Sequence, residues 1–167
     1  MAGRFGKTIL ELGGNNAAVI MEDADLDMAL VGSVFGAAGT CGQRCTSLRR
    51  LLVQDSVFDA MAAKMAKAYS TIKIGDPLDP NSLVGPLKTK IQIEAFKSCI
   101  AEAKKQGGKV LYGGTVIEGT EGNYVNPTII EVDGNADILQ HEFFVPILFM
   151  VRFTTLDEAI TLNNNVP

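Results

Sequence analysis

No apolar run in the 167-residue chain approaches the roughly 18 to 20 consecutive residues that a membrane-spanning helix needs. The opening residues, MAGRFGKT, lack the apolar core of a secretory signal. There is no internal repeat and no low-complexity segment. Basic residues are dispersed, and the net charge is −4, so the electrostatic footprint of a nucleic-acid binder is missing. Cysteine is scarce, and three is an odd number, which argues against a secreted disulfide framework and for reduced thiols inside a cell. Histidine is scarcer still: His141 stands alone, and a lone histidine is more often a surface residue than a catalyst. No G-x-G-x-x-G turn for a dinucleotide pyrophosphate occurs anywhere.

What is present is ordinary for a soluble globular protein: 47% hydrophobic residues and 20% charged, in a chain long enough to bury a core. Short apolar runs of strand length alternate with helical patterns. Residues 8–12 (TILEL) and 17–21 (AAVIM) are the first two such runs. Asp23 or Asp25 can cap a helix reaching about residue 38, with Leu26, Ala29, Leu30, Val34 and Ala37 on one face. Residues 51–54 read as a strand, and a helix opens at Asp55 or Ser56. Three prolines and two glycines make residues 75–86 (GDPLDPNSLVGP) a rigid irregular loop. A helix over 88–106 stops at Gly107-Gly108. Strands are predicted at 109–112, 126–132 and 147–153, with a hairpin tip at Gly122-Asn123 and a helix from near Thr155. This alternation predicts an α/β fold, three layers with a largely parallel sheet flanked by helices. No linker divides the chain, so one domain is expected; both ends read as interior points of a longer protein.

Two of the three cysteines fall in residues 40–50, TCGQRCTSLRR. A closed zinc site needs four ligands, and Cys41 and Cys45 find too few companions, so no metal is expected. A redox pair more usually reads C-x-x-C, which this spacing is not. A small buried hydrophobe is the commonest fate of a free cysteine and suits Cys41. Cys45 is different. Gly39 and Gly42 break the preceding helix and leave Cys45 in a tight loop, while Arg44 and Arg49-Arg50 bring positive charge close in sequence. Cations lower a thiol's pKa, and the thiolate is the nucleophile. From the residues alone, Cys45 is a candidate nucleophile or a second packed thiol.

Three further stretches narrow this choice. Glu11-Leu12-Gly13-Gly14, Gly42-Gln43-Arg44-Cys45 and Glu142-Phe143-Phe144-Val145-Pro146, with Cys45 standing 34 positions after Glu11, resemble the ordered signature of NAD(P)-dependent aldehyde dehydrogenases. The resemblance extends through the 75–86 loop and residues 124–130 (YVNPTII). Within the family the chain is most similar to the antiquitin group, the α-aminoadipic semialdehyde dehydrogenases, through Asn15-Asn16, residues 42–50 and Gly107 to Val110. One departure stands out: Val145 takes a place where most members carry glycine, and a β-branched residue does not easily adopt positive φ.

The resemblance implies a mechanism. Cys45 attacks the aldehyde to give a thiohemiacetal, hydride passes to the nicotinamide of NAD (NADP being possible), and water releases a carboxylic acid from the resulting thioester. Glu11 is implied as general base, with partial burial between Leu10 and Leu12 expected to raise its pKa and Gly13-Gly14 giving a tight turn behind it. Glu142 is implied as a ligand of the nicotinamide ribose, with Phe144 beside the ring and Gly13 also at the cofactor; Phe143 reads as core packing. Arg44 is implied as a clamp for the substrate's distant carboxylate, or else as a structural ion pair. The Cys45 N–H would supply one oxyanion donor. On this reading residues 1–167 are a catalytic-domain fragment, without the cofactor-binding and oligomerisation segments of the family. The full-length family member is expected to be a homo-oligomer, cytoplasmic or mitochondrial, acting on a small-molecule aldehyde, with no nucleic acid or membrane as partner. Two alternatives remain: a catalytically silent homologue serving as a binding or assembly module, and a cofactor-free thiol esterase. The isolated chain is expected not to reduce NAD.

Overall fold

In a computed structural model, which describes residues 2–167, five strands form one sheet in the order β1-β2-β5-β4-β3. They are β1 (Ala17–Ile20), β2 (Arg50–Gln54), β3 (Lys109–Tyr112), β4 (Thr128–Glu131) and β5 (Ile147–Phe153). β2 runs parallel to β1 and to β5, and β4 runs parallel to β5; β3 closes the far edge antiparallel to β4. Four helices accompany them: α1 (Leu26–Ala38), α2 (Asp55–Tyr69), α3 (Lys90–Lys105) and α4 (Leu156–Asn164).

Burial explains the layering. The first four residues of β2 are buried, and β5 is buried at all but one position. A strand buried on both faces cannot show hydrophobic alternation, so helices must cover the sheet on both sides. The helix starts are chemically marked. Asp25, rather than Asp23, is the N-cap of α1, its carboxylate accepting the N–H groups of Asp27 and Met28. Thr89 and Gln92 form a reciprocal capping box at α3, and the Thr155 hydroxyl accepts the Glu158 N–H at α4. Gly107, at φ +85°, ends α3 as its position implies. In the 75–86 loop the Asp76 and Asp79 carboxylates accept the N–H groups of Leu78 and Asn81 and fold it into successive turns. The hairpin near Gly122 exists as a short antiparallel pairing of Val116 with Val125.

One expected strand is absent. Residues 8–12 carry no secondary structure and are exposed, with Ile9 90% and Leu12 79% accessible. An apolar pentapeptide becomes a strand only where a neighbouring edge accepts its hydrogen bonds. Here the first strand of the sheet is β1. α1 carries a second feature. Leu26, Ala29, Leu30, Val34 and Ala37 pack on the core as expected. Yet Met28, Val31 and Phe35 on its other side are 74%, 71% and 68% exposed, so the helix is apolar nearly all round with one face unused.

Candidate active site

The chain leaves α1 through three successive left-handed residues, Thr40 (φ 50°), Cys41 (φ 54°) and Gly42 (φ 67°). Two of these are not glycine, a conformation costing roughly 1–2 kcal/mol per residue. The buried Cys41 side chain holds the run in place. A β-turn follows. The Ser47 N–H donates to the Arg44 carbonyl (3.0 Å), and the Arg44 N–H donates back to Ser47 Oγ (3.1 Å). Cys45 and Thr46 therefore occupy the tip of the turn, and Cys45 is the exposed one of the three cysteines.

This turn is fastened from two sides. Asn16 Nδ2 donates to the carbonyls of Cys45 (2.6 Å) and Ser47 (3.0 Å), pinning the turn to the segment that enters β1. Arg49 donates from Nη2 to the Arg44 carbonyl (3.0 Å) and from Nη1 to the Ser47 carbonyl (3.5 Å). The Cys45 N–H has no acceptor among the described residues. Burial separates the thiols chemically: those of Cys41 and Cys99 are each pushed up to about 12 by loss of solvent.

Arg49 also reaches the segment before β5. Its Nη2 forms an ion pair with Glu142 Oε1 (3.1 Å), its Nε donates to the Phe143 carbonyl (3.0 Å), and its guanidinium lies 4.8 Å from the centre of the Phe144 ring. Burial pulls the Arg49 guanidinium down from its ordinary range, while the charges of Glu142 and Cys45 push it back up. The second oxygen of Glu142 accepts the Gly14 N–H at 3.4 Å, and a Cβ on Gly13 would stand 3.1 Å from it. Gly13 and Gly14 are not in the left-handed region. Their service here is clearance for Glu142 rather than a tight turn. Glu142 and Phe144 thus meet Arg49, Gly13 lies against Glu142, and the same guanidinium holds the turn that carries Cys45.

The other expected site residues lie differently. Glu11 is exposed, contrary to the partial burial expected from its leucine neighbours, because those leucines are themselves exposed; its carboxylate has no hydrogen-bond or ion-pair partner among the described residues. Arg44 turns back to α1: Nη2 donates to the Phe35 carbonyl (3.2 Å), and the guanidinium lies 5.1 Å from the Phe35 ring centre. Gly39 makes room for it, since a Cβ there would meet Nη2 at 2.5 Å. Arg44 is in no ion pair among the described residues, and its Nε is buried without an acceptor. Beside it runs an apolar groove of about 600 Å³ lined by Val31, Val34, Phe35, Gly39, Thr40 and Leu83. Val145 is buried and does not adopt positive φ, so this loop accepts the β-branched residue with ordinary backbone. Phe143 packs on the core as expected. His141 is exposed, with its ring edge-on to that of Phe143.

Two residues of this arrangement were not assigned from sequence. Arg49 reads there only as charge near Cys45, and Asn16 only as a family mark. Their partners come from three separate stretches of chain, and nothing local announces them.

Comparison with known proteins follows the same lines. The sequence profile described as "Aldehyde dehydrogenase family" matches residues 1–167. Aldehyde dehydrogenase family 7 member A1 of Malus domestica is 49% identical over 164 residues, which is 98% of this chain and 32% of that protein. Alpha-aminoadipic semialdehyde dehydrogenase of Bos taurus is 47% identical over 164 residues, 98% of this chain and 30% of that one. Among solved structures, PnpE, from Pseudomonas sp. WBC-3 and also in complex with nicotinamide adenine dinucleotide, superposes with a TM-score of 0.90 at 33% identity, covering 93% of this chain and 33% of its own. The chain spans about a third of the length of these relatives, no helix among its described residues is long and apolar enough to cross a membrane, and with its profile match and its sheet it belongs to the aldehyde dehydrogenase family.

Proposed function

We propose that residues 1–167 are the catalytic-domain portion of an enzyme that oxidises an aldehyde to a carboxylic acid with a nicotinamide dinucleotide, using Cys45 as nucleophile. The observation that carries this reading is the Cys45 turn: an exposed thiol at its tip, an N–H without an acceptor among the described residues, and the ion pair of buried Arg49 with half-buried Glu142 beside the turn.

Cys45 Sγ adds to the aldehyde carbon, and the former carbonyl oxygen takes negative charge against the Cys45 N–H. A bound nicotinamide supplies the acceptor for the hydride that leaves this carbon. What remains on Cys45 is a thioester. Water cleaves it, with Glu11 taking the water's proton, and releases the acid and the thiol. Glu11 is exposed and has no partner among the described residues, so its carboxylate is open to the water it would deprotonate.

The chain's residues suit the nicotinamide half of such a cofactor. The Glu142 carboxylate is 23% exposed, the Phe144 ring is 40% exposed, and Gly13 leaves the approach to Glu142 Oε2 clear. In our reading Glu142 accepts the ribose hydroxyls and Phe144 packs by the ring, with NAD or NADP as cofactor. Arg44 takes the distant carboxylate of α-aminoadipic semialdehyde, which the name of the cattle relative supports. Its guanidinium stands beside the apolar groove and has donors to spare.

The reading is tested by grafting this chain in place of the matching segment of the Malus domestica relative. The graft should reduce NAD(P) with α-aminoadipic semialdehyde, and Cys45→Ser should lower turnover by about 10⁴-fold or more. A folded, soluble graft that turns over no aldehyde would leave the chain as an assembly module.

A further inference from the structure

We propose that Arg49 is a positioning residue for the oxyanion: by holding the Arg44 carbonyl, it aims the Cys45 N–H at the oxygen that gains charge when the thiol adds to a carbonyl. This inference rests on Cys45 being the nucleophile.

The link is the peptide bond between Arg44 and Cys45. It is trans, and a planar trans peptide points its carbonyl and its N–H in opposite directions. Whatever fixes the Arg44 carbonyl therefore fixes the Cys45 N–H. Two donors hold that carbonyl, the Ser47 N–H across the turn (3.0 Å) and Arg49 Nη2 (3.0 Å). The Cys45 N–H is left pointing away from both, and it has no acceptor among the described residues.

The Ser47 N–H belongs to the turn and moves with it. Arg49 does not. Its backbone is tied on both sides, its N–H donating to the Asn16 carbonyl (3.2 Å) and its carbonyl accepting the Phe149 N–H (2.9 Å). Its guanidinium donates from Nε to the Phe143 carbonyl (3.0 Å) and pairs with Glu142 Oε1 (3.1 Å), and the side chain is buried. The fork is a brace between the frame and the turn. Asn16 braces the other side: its Nδ2 donates to the Cys45 carbonyl, which belongs to the next peptide. With a peptide held on each side of Cys45, the direction of its N–H is set before any substrate arrives. A donor aimed in advance needs no rearrangement in the transition state. Because Glu142 pairs with the same guanidinium, the oxyanion donor and the carboxylate read here as a ribose ligand share one brace.

The test separates a reaction that needs an oxyanion from one that does not. 4-Nitrophenyl acetate acylates a thiol through a tetrahedral oxyanion and needs no nicotinamide, whereas iodoacetamide alkylates it by direct displacement. In the graft described above, without cofactor, Arg49→Met should slow 4-nitrophenolate release roughly 10- to 100-fold, approaching the loss of a whole oxyanion donor. Alkylation of Cys45, read by peptide mass mapping, should keep its rate. Arg49→Lys should recover little of the acylation, since an ammonium keeps the charge but not the fork. Full recovery by lysine, unchanged acylation in Arg49→Met, or alkylation that falls in step with acylation each overturns the proposal. Should Arg49→Met fail to fold by circular dichroism, Arg49→Lys decides it. Acylation slowed by about tenfold or more with alkylation unchanged supports the proposal, and acylation at the original rate overturns it. Acetyl found on Cys41 or Cys99 rather than on Cys45 in the unaltered graft would instead overturn the choice of nucleophile.

Discussion

Gly42 lies against the peptide joining Val145 to Pro146. A Cβ on Gly42 would stand 2.3 Å from the Val145 carbonyl oxygen and 2.8 Å from the Pro146 nitrogen. The backbone it would strike is not free to retreat: the Val145 carbonyl accepts the Ile147 N–H, and the Pro146 carbonyl accepts the Thr128 N–H. The left-handed φ of Gly42 adds its own penalty for any side chain. Gly42→Ala should therefore cost roughly 2 to 4 kcal/mol, overpacking plus backbone strain, as read from urea unfolding. Gly14→Ala, where a Cβ meets nothing within 4 Å, serves as the mild control.

Arg50 is a buried cation with no carboxylate partner among the described residues. It donates twice to the Asn15 carbonyl, at 2.8 and 2.7 Å, and to the last carbonyls of α4 at Leu162 (3.0 Å) and Asn163 (3.2 Å). These are helix-end groups with no partner inside the helix. Arg50→Met should leave them unmet and lower stability by about 3 kcal/mol. Arg50→Lys should recover only part, since one ammonium cannot reproduce the fork. Thermal unfolding of the three proteins side by side gives the order.

Alkali should destabilise the fold through its hidden thiols. Burial raises Cys41 and Cys99 from 9.0 to about 12. Below pH 9 both states keep these protons, and the stabilisation is complete. Between 9 and 12 the unfolded chain releases them while the folded chain does not, so stability falls by about 1.4 kcal/mol per pH unit for each thiol. Urea unfolding at pH 8 and pH 10 should show the loss. Cys99→Ala should make the slope shallower by about one thiol's share, whatever it does to stability at pH 8.

Arg44 has two claims on it, the Phe35 carbonyl and a substrate carboxylate. In the grafted enzyme Arg44→Ala should raise KM for α-aminoadipic semialdehyde roughly 10- to 100-fold, the range for one charged hydrogen bond. A simple alkanal, which offers no carboxylate, should change little. Equal changes with both substrates would assign Arg44 to holding the end of α1.

Much of the frame is legible in the sequence because local rules set it. Asp25 starts α1 by what its own side chain does for nearby N–H groups, and the apolar run of β5 needs no alternation once both faces are covered. Residues 8–12 mislead for a matching reason: strand-like composition decides nothing without an edge to pair with. Cys45 can be singled out because glycines and a neighbouring arginine mark it within a few residues. Arg49 cannot, since its meaning lies in carbonyls at 44, 47 and 143 and a carboxylate at 142.

The sheet order carries a temporal consequence. Of these five strands β5 is the last to be synthesised, yet it sits in the middle, between β2 and β4. Until it inserts, the earlier strands are two unconnected pairs, β1 with β2 and β3 with β4. Glu142 and Phe144 lie just ahead of β5, so the same insertion delivers them to Arg49. The constellation around Cys45 is thereby bound to the insertion of β5, and a nascent chain holds its thiol well before it holds a site.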